Sequence, residues 1–314
     1  MPTTRRVQVN GIDMAVTEDG SGPLVILCHG WPELSFSWRH QIPALAEAGY
    51  RVAAPDMRGF GDTAAPPDIA DYSLFHNVGD MVALVGALGA ERAAVVGHDW
   101  GAPVAWHCAL FRPDLFPVVA GLSVPFGRRA RMKPLEALRA GGINWFYWHY
   151  FQEPGVAERE FEADVERSMR LILYGRGGLN LNLKPGGTFL QDGIIPDAMP
   201  PWLDEDALAH MVATYRRTGF RGGLNWYRNI DRNWELSAPW QDARISQPAL
   251  FIAGAKDAVI RGPIGEKSLL DLETLVPNLR KKVVLPGAGH WIQQERPAEV
   301  NAELAAFLRA DYPA

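Results

Sequence analysis

Asp99 stands in the run Gly97-His98-Asp99-Trp100-Gly101, and two further polar residues, Asp257 and His290, follow it along the chain. The run has the G-x-nucleophile-x-G form of an elbow. There the chain passes so sharply from strand to helix that only small residues fit on either side of the nucleophile. Most such elbows carry serine, which suits acyl transfer. A carboxylate suits displacement at a saturated carbon and leaves an alkyl ester on the enzyme. Asp257 lies in Gly254-Ala255-Lys256-Asp257 and His290 in Gly287-Ala288-Gly289-His290-Trp291. The order nucleophile, acid, histidine gives each a role: His290 takes a proton from water, and Asp257 accepts from the other imidazole nitrogen and stabilises the imidazolium. Alone, Asp257 could be a helix cap and His290 structural. All three follow predicted strand ends, where open parallel sheets bind ligands, and that shared placement points to chemistry.

His29-Gly30-Trp31-Pro32-Glu33 directly follows another strand-like run. The backbone N–H groups of Trp31 and Trp100 are expected to form an oxyanion hole, useful once negative charge appears during ester hydrolysis. Trp31-Pro32 is a candidate cis peptide. His29 reads as structural, and the side chain of His98 is expected to point into the fold without chemistry. His40, His76, His107 and His210 read as helix residues. No His/Cys/Asp cluster has metal-ligand spacing.

The elements that must position these residues follow from hydrophobic patterning. Residues 7–16 carry an Asn10-Gly11 turn between two strand-like runs, a hairpin signal. Continuous apolar strands are expected at 24–28, 51–55, 93–96, 118–124, 248–254 and 282–286, as in a buried parallel sheet. Helices are expected at 43–48, 73–88, 102–111 and 297–308, with Pro103 in a tolerated first turn. Strands joined by helices make an α/β, mostly parallel, doubly covered sheet. From about 125 to 239 strand patterning stops. Five of the eleven tryptophans fall there (Trp145, Trp148, Trp202, Trp226, Trp234), so that segment has an aromatic face to bury. It reads as a helical cap at 126–239, inserted into a discontinuous core domain of 1–125 and 240–314. Residues 175–187 read as a flexible cap loop near the pocket mouth.

The chain has 314 residues, 47% hydrophobic, and a net charge of −5, enough for one large core with an inserted layer. Arg128-Arg129-Ala130-Arg131 is too short a basic run to suggest nucleic acid. No apolar stretch reaches the roughly 20 residues that cross a membrane, and no signal-peptide core follows the N-terminus. Cys28 and Cys108 read as reduced core thiols of a cytoplasmic protein.

Taken together, these motifs resemble the epoxide hydrolases of the α/β-hydrolase fold, most closely the soluble mammalian-type and bacterial branch. The resemblance covers nearly the whole chain. Besides the motifs above it is carried by Ser37-Trp38-Arg39-His40-Gln41, by Tyr150-Phe151-Gln152-Glu153-Pro154-Gly155 and by the run from Gly219 to Asn229, which contains Asn225-Trp226-Tyr227-Arg228. It implies two cap tyrosines that hold the epoxide oxygen. Tyr227 matches locally. Tyr147 follows from counting back from Phe151, with Tyr150 the competing position. A phenol of pKa about 10 stays protonated at neutral pH and donates to a far more basic alkoxide. The implied reaction opens an epoxide on Asp99 and hydrolyses the ester to a vicinal diol, with no cofactor and no metal. Pro32, Phe36, Trp148, Val259 and Trp291 are expected as apolar pocket walls, hence a small hydrophobic epoxide as substrate. The oligomeric state is open, a homodimer among the options. Two other readings share the motifs: a dehalogenase, which has no use for paired proton donors, and a binding protein that uses the pocket without turnover.

Overall fold

The computed structural model describes residues 1–176 and 181–314. Eight strands form one sheet among them: β1 (Thr3–Val9), β2 (Ile12–Asp19), β3 (Leu24–Cys28), β4 (Arg51–Pro55), β5 (Ala93–His98), β6 (Val119–Leu122), β7 (Ala249–Gly254) and β8 (Leu279–Leu285). Their spatial order is β1-β2-β4-β3-β5-β6-β7-β8. β1 and β2 form the expected hairpin, with Asn10 and Gly11 both at positive φ in its turn. β2 pairs antiparallel with β4, and every later pairing is parallel. The parallel strands are buried on both faces. Val25 and Leu27 of β3 join a core with Trp38, Ile42, Val96, Ile252 and Leu304. Their neighbours Leu24, Ile26 and Cys28 are buried on the opposite face, as period-2 alternation requires. β8 begins three residues earlier than its apolar run. Arg280, Lys281 and Lys282 are exposed on this edge strand, and edge strands carry charge that hydrophobic patterning does not register.

The chain divides into two compact units. The first comprises residues 1–65, 74–128 and 240–314 and holds the sheet. The second comprises residues 66–73 and 129–239. Residues 66–73, assigned to the core by sequence pattern, group with the second unit instead. Asn229 donates to the Ile69 carbonyl and Arg221 to that of Pro67, side-chain ties that no local pattern reveals.

The second unit is helical, with helices Pro134–Ala140, Tyr147–Tyr150, Val156–Ala163, Val165–Tyr174, Glu205–Thr218, Arg221–Arg228 and Ile230–Leu236 among the described residues. Asp164 and Asp204 cap two of them by accepting from the N–H groups of Arg167 and Ala207. The expected aromatic face is buried, though mostly by phenylalanines rather than tryptophans. Trp226 is buried, but Trp145 is exposed, and the centre is built from Phe151, Phe161, Phe189 and Phe220. Of the loop expected at 175–187, residues 177–180 lie outside the described residues. Residues 181–183 are bound rather than loose: Tyr147 N–H donates to Leu181, Leu183 N–H donates to Trp145, and Phe146 forms an antiparallel bridge with Asn182.

Candidate active site

The elbow joins β5 to the helix Gly101–Phe111, and Asp99 sits between them at φ +49°. A non-glycine residue there is strained, which aims the side chain away from the turn. The flanking glycines are required sterically. A Cβ on Gly97 would collide with the Gly101 carbonyl, and one on Gly101 with the Cys28 carbonyl. Gly30 faces the elbow residue itself, and a methyl group there would strike the Asp99 side chain.

Asp99, Asp257 and His290 come together in the first unit. Asp257 Oδ1 and Oδ2 lie 3.0 and 3.1 Å from His290 Nδ1. Asp257 is held by the Val259 N–H, 2.8 Å from Oδ1. On the far side of the ring, His290 Nε2 is 3.5 Å from Asp99 Oδ2. The other Asp99 oxygen, Oδ1, accepts from the Trp31 N–H at 2.8 Å. Trp100 is the residue that caps the elbow helix. The Trp31-Pro32 peptide is cis.

The electrostatics follow from this packing. Burial disfavours the imidazolium, but Asp257 and then Asp99 outweigh it and hold His290 well above the ordinary histidine range. Burial likewise disfavours the Asp257 carboxylate. The His290 charge and hydrogen bond, together with the Val259 N–H, overcome that and lower its pKa.

A second buried layer supports the first, and sequence reasoning assigned it no role. Glu33 Oε2 accepts from Gly30 N–H (3.0 Å) and from His98 Nδ1 (2.6 Å), while Oε1 accepts from Gln293 Nε2 (2.7 Å). His98 points into the fold as expected, and its Nε2 donates to the His290 carbonyl at 2.8 Å. Burial opposes ionisation of Glu33, but the charge and hydrogen bond of His98 prevail and lower its pKa to about 2. Ser123, at φ +65° just past β6, donates its hydroxyl to the same His290 carbonyl at 2.8 Å. The signal for Glu33 was its place three residues after Gly30. Ser123 had none.

Pro32 is buried beside Trp31, Phe36 packs under the Arg39 guanidinium, and the Trp291 ring lies 4.6 Å from that of His290. His29 is structural, its Nε2 accepting from Met57 N–H. Cys28 and Cys108 are free thiols, both buried. Among the described residues no group of side chains is arranged to hold a metal, and no helix is long and apolar enough to cross a membrane.

In the second unit, Tyr147 and Tyr227 lie edge to face with ring centroids 5.6 Å apart. Phe151 is packed edge-on against both, at 5.3 and 5.0 Å. Trp148 packs against Phe146. Tyr150, the competing position, is engaged elsewhere: its hydroxyl donates to Glu160 at 2.9 Å. Burial, then the Glu160 charge, raises its pKa.

The sheet order, the strained elbow and the grouping of Asp99, His290 and Asp257 define an α/β hydrolase with a carboxylate at its elbow. The family described as alpha/beta hydrolase fold matches residues 23–297. Epoxide hydrolase A of Mycobacterium tuberculosis (strain ATCC 25618 / H37Rv) is 45% identical over 98% of this chain and 97% of its own. Epoxide hydrolase 2 of Siraitia grosvenorii is 42% identical over 96% and 97%. The crystal structure of epoxide hydrolase A from Mycobacterium thermoresistibile matches with a TM-score of 0.93 at 46% identity, covering 98% of both chains. This chain belongs to the epoxide hydrolases of the α/β-hydrolase fold.

Proposed function

We propose that this protein hydrolyses a small hydrophobic epoxide to a vicinal diol through a covalent ester of Asp99. The observation that carries the reading is the division of labour between the two Asp99 oxygens: Oδ1 is held by the Trp31 N–H, while Oδ2 faces His290 Nε2. Oδ2 attacks an epoxide carbon, and the carbon–oxygen bond of the ring breaks. Tyr147 and Tyr227 donate to the departing oxygen, and one of them delivers its proton. The close pairing of these rings, and the engagement of Tyr150 with Glu160, support Tyr147 as the partner of Tyr227.

The first step prepares the second. Asp99 is one of the charges that raise the His290 pKa. Esterification removes that charge, so His290 becomes a better-populated base when water must be activated. Water then attacks the ester carbonyl carbon. The developing oxyanion is Oδ1, which already accepts from the Trp31 N–H, and the Trp100 N–H is the second donor in this reading. Asp257 stabilises the imidazolium. The bond between Cγ and Oδ2 breaks, the imidazolium protonates the departing Oδ2 to release the diol, and the Asp99 carboxyl, now carrying an oxygen from water, returns its proton to the tyrosinate. Neither step calls for a cofactor. Pro32, Phe36, Trp148, Val259 and Trp291 serve as apolar walls for the substrate. The buried free thiols support a reducing, cytoplasmic setting.

The test is turnover of styrene oxide, with 1-bromobutane as the competing substrate class. Diol from the epoxide with no bromide release supports the proposal. Bromide release without diol would replace it with dehalogenation. Tight binding of the epoxide without either product would replace it with the binding-protein reading.

A further inference from the structure

Two side chains of the second unit tie together the segments that carry Tyr147 and Tyr227. Gln152 Nε2 donates to the Trp148 carbonyl at 2.8 Å, in the helix Tyr147–Tyr150, and to the Tyr227 carbonyl at 3.1 Å. Arg228 follows Tyr227 directly. Its Nε donates to the Phe151 carbonyl at 3.1 Å, Nη2 to the Glu153 carbonyl at 3.4 Å, and Nη1 to Asn225 Oδ1 at 2.8 Å. Nη2 also pairs with Glu158 at 2.8 Å, and the two side chains are only 3% and 10% exposed. Glu158 in turn accepts from the Gly155 N–H, fixing the turn after Glu153. Every N–H of this fork that meets a main-chain carbonyl meets one in 151–153. Phe151, whose carbonyl is gripped, is the ring wedged against both tyrosines.

We propose that Gln152 and Arg228 are positioning residues that set the separation and aim of the Tyr147–Tyr227 donor pair, and so govern epoxide opening rather than ester hydrolysis. This rests on the reading of the two tyrosines as donors. A packing role alone would be met by any side chain that keeps the volume and the charge. A positioning role needs the planar fork of arginine and the amide donor of glutamine. Lysine at 228 keeps the pair with Glu158 but offers no rigid fork to two carbonyls. Glutamate at 152 places an acceptor against two carbonyl oxygens.

The experiment is rapid-quench single turnover of styrene oxide by the full chain, with intact-protein mass spectrometry resolving the build-up and decay of the alkyl-enzyme. The variants are Arg228→Lys, Gln152→Glu and Gln152→Met, beside Tyr147→Phe and Tyr227→Phe. The amplitude reports the folded, competent fraction, and the rate constants are independent of it. The proposal predicts that Arg228→Lys and both Gln152 variants slow alkylation by about 10- to 100-fold, the cost of a small misplacement, while the decay of the ester changes less than about threefold. The loss should shrink for an epoxide bearing an electron-withdrawing group, whose leaving oxygen needs less help from a donor. Normal alkylation in Arg228→Lys and Gln152→Met, with slow alkylation in both Tyr→Phe variants, overturns the positioning role and leaves the donors standing. Normal alkylation in both Tyr→Phe variants overturns the donor reading and the proposal with it. Equal slowing of both steps in the Gln152 and Arg228 variants overturns the proposal in favour of a general structural role.

Discussion

Replacing Glu33 with glutamine should unsettle the support of the site without touching any reacting atom. The carboxylate accepts from Gly30 N–H, His98 and Gln293, so all its contacts are donors. An amide of the same shape must turn its own N–H groups toward one of them, and His98 is left without the charge that faces it. The pKa of Glu33 falls from 4.5 to about 2 on folding. That difference is worth about 3 kcal/mol of stability at neutral pH, in line with the roughly 3–5 kcal/mol lost when one member of a buried ion pair is removed. The sign follows from the depressed folded value. The contribution is fully present above about pH 4.5 and disappears as pH falls through about 2. Urea unfolding followed by tryptophan fluorescence should therefore show Glu33→Gln about 3 kcal/mol less stable than wild type at pH 7, with the gap reduced by about half near pH 3. A gap under about 1 kcal/mol at pH 7, or one that does not change between pH 7 and 3, would refute the argument that this carboxylate is held ionised by its donors.

Three further outcomes can be checked with purified variants. His290→Gln should alkylate with one equivalent of epoxide and stop, leaving a stable ester on Asp99 visible by intact mass; continued turnover within about tenfold of wild type would contradict its role as base. Gly30→Ala brings a methyl group against the Asp99 carboxyl and should lower kcat/KM by about 100-fold or more; a loss of only a few-fold would mean that the loop can retreat. Tyr150→Phe, which loses only a bond to Glu160, should keep alkylation within about threefold of wild type and cost about 1 kcal/mol of stability, in contrast to Tyr147→Phe. If Tyr150→Phe were the more damaging in a single-turnover assay, the assignment of the donor pair would be wrong.

The parts of the structure legible in the sequence were those in which one residue type admits one geometry. The glycines around Asp99 announce the elbow because any Cβ at Gly97 or Gly101 meets backbone. The strand Leu24–Cys28 shows its bounds because both faces are buried and every residue is apolar. Asp257 and His290 were recognisable from their places after strands. Where long-range contacts decide, the sequence was silent. Ser123 reaches His290 across 167 positions, and Gln293 reaches Glu33 across 260. The grouping of residues 66–73 with the second unit likewise depends on Asn229 and Arg221, far along the chain. In the second unit the tryptophan count marks apolar area, while the burial itself falls mostly on phenylalanines, with Trp226 beside them.

The central claim is that Asp99 forms the ester and that water attacks its carbonyl carbon. A single turnover of styrene oxide in heavy-oxygen water, with enzyme in excess, tests it directly by mass spectrometry of the diol and of the peptide containing Asp99. The account predicts unlabelled diol in that first turnover and one heavy oxygen in Asp99. Labelled diol with an unlabelled Asp99 would mean that water opens the epoxide directly, and Asp99 would not be the nucleophile.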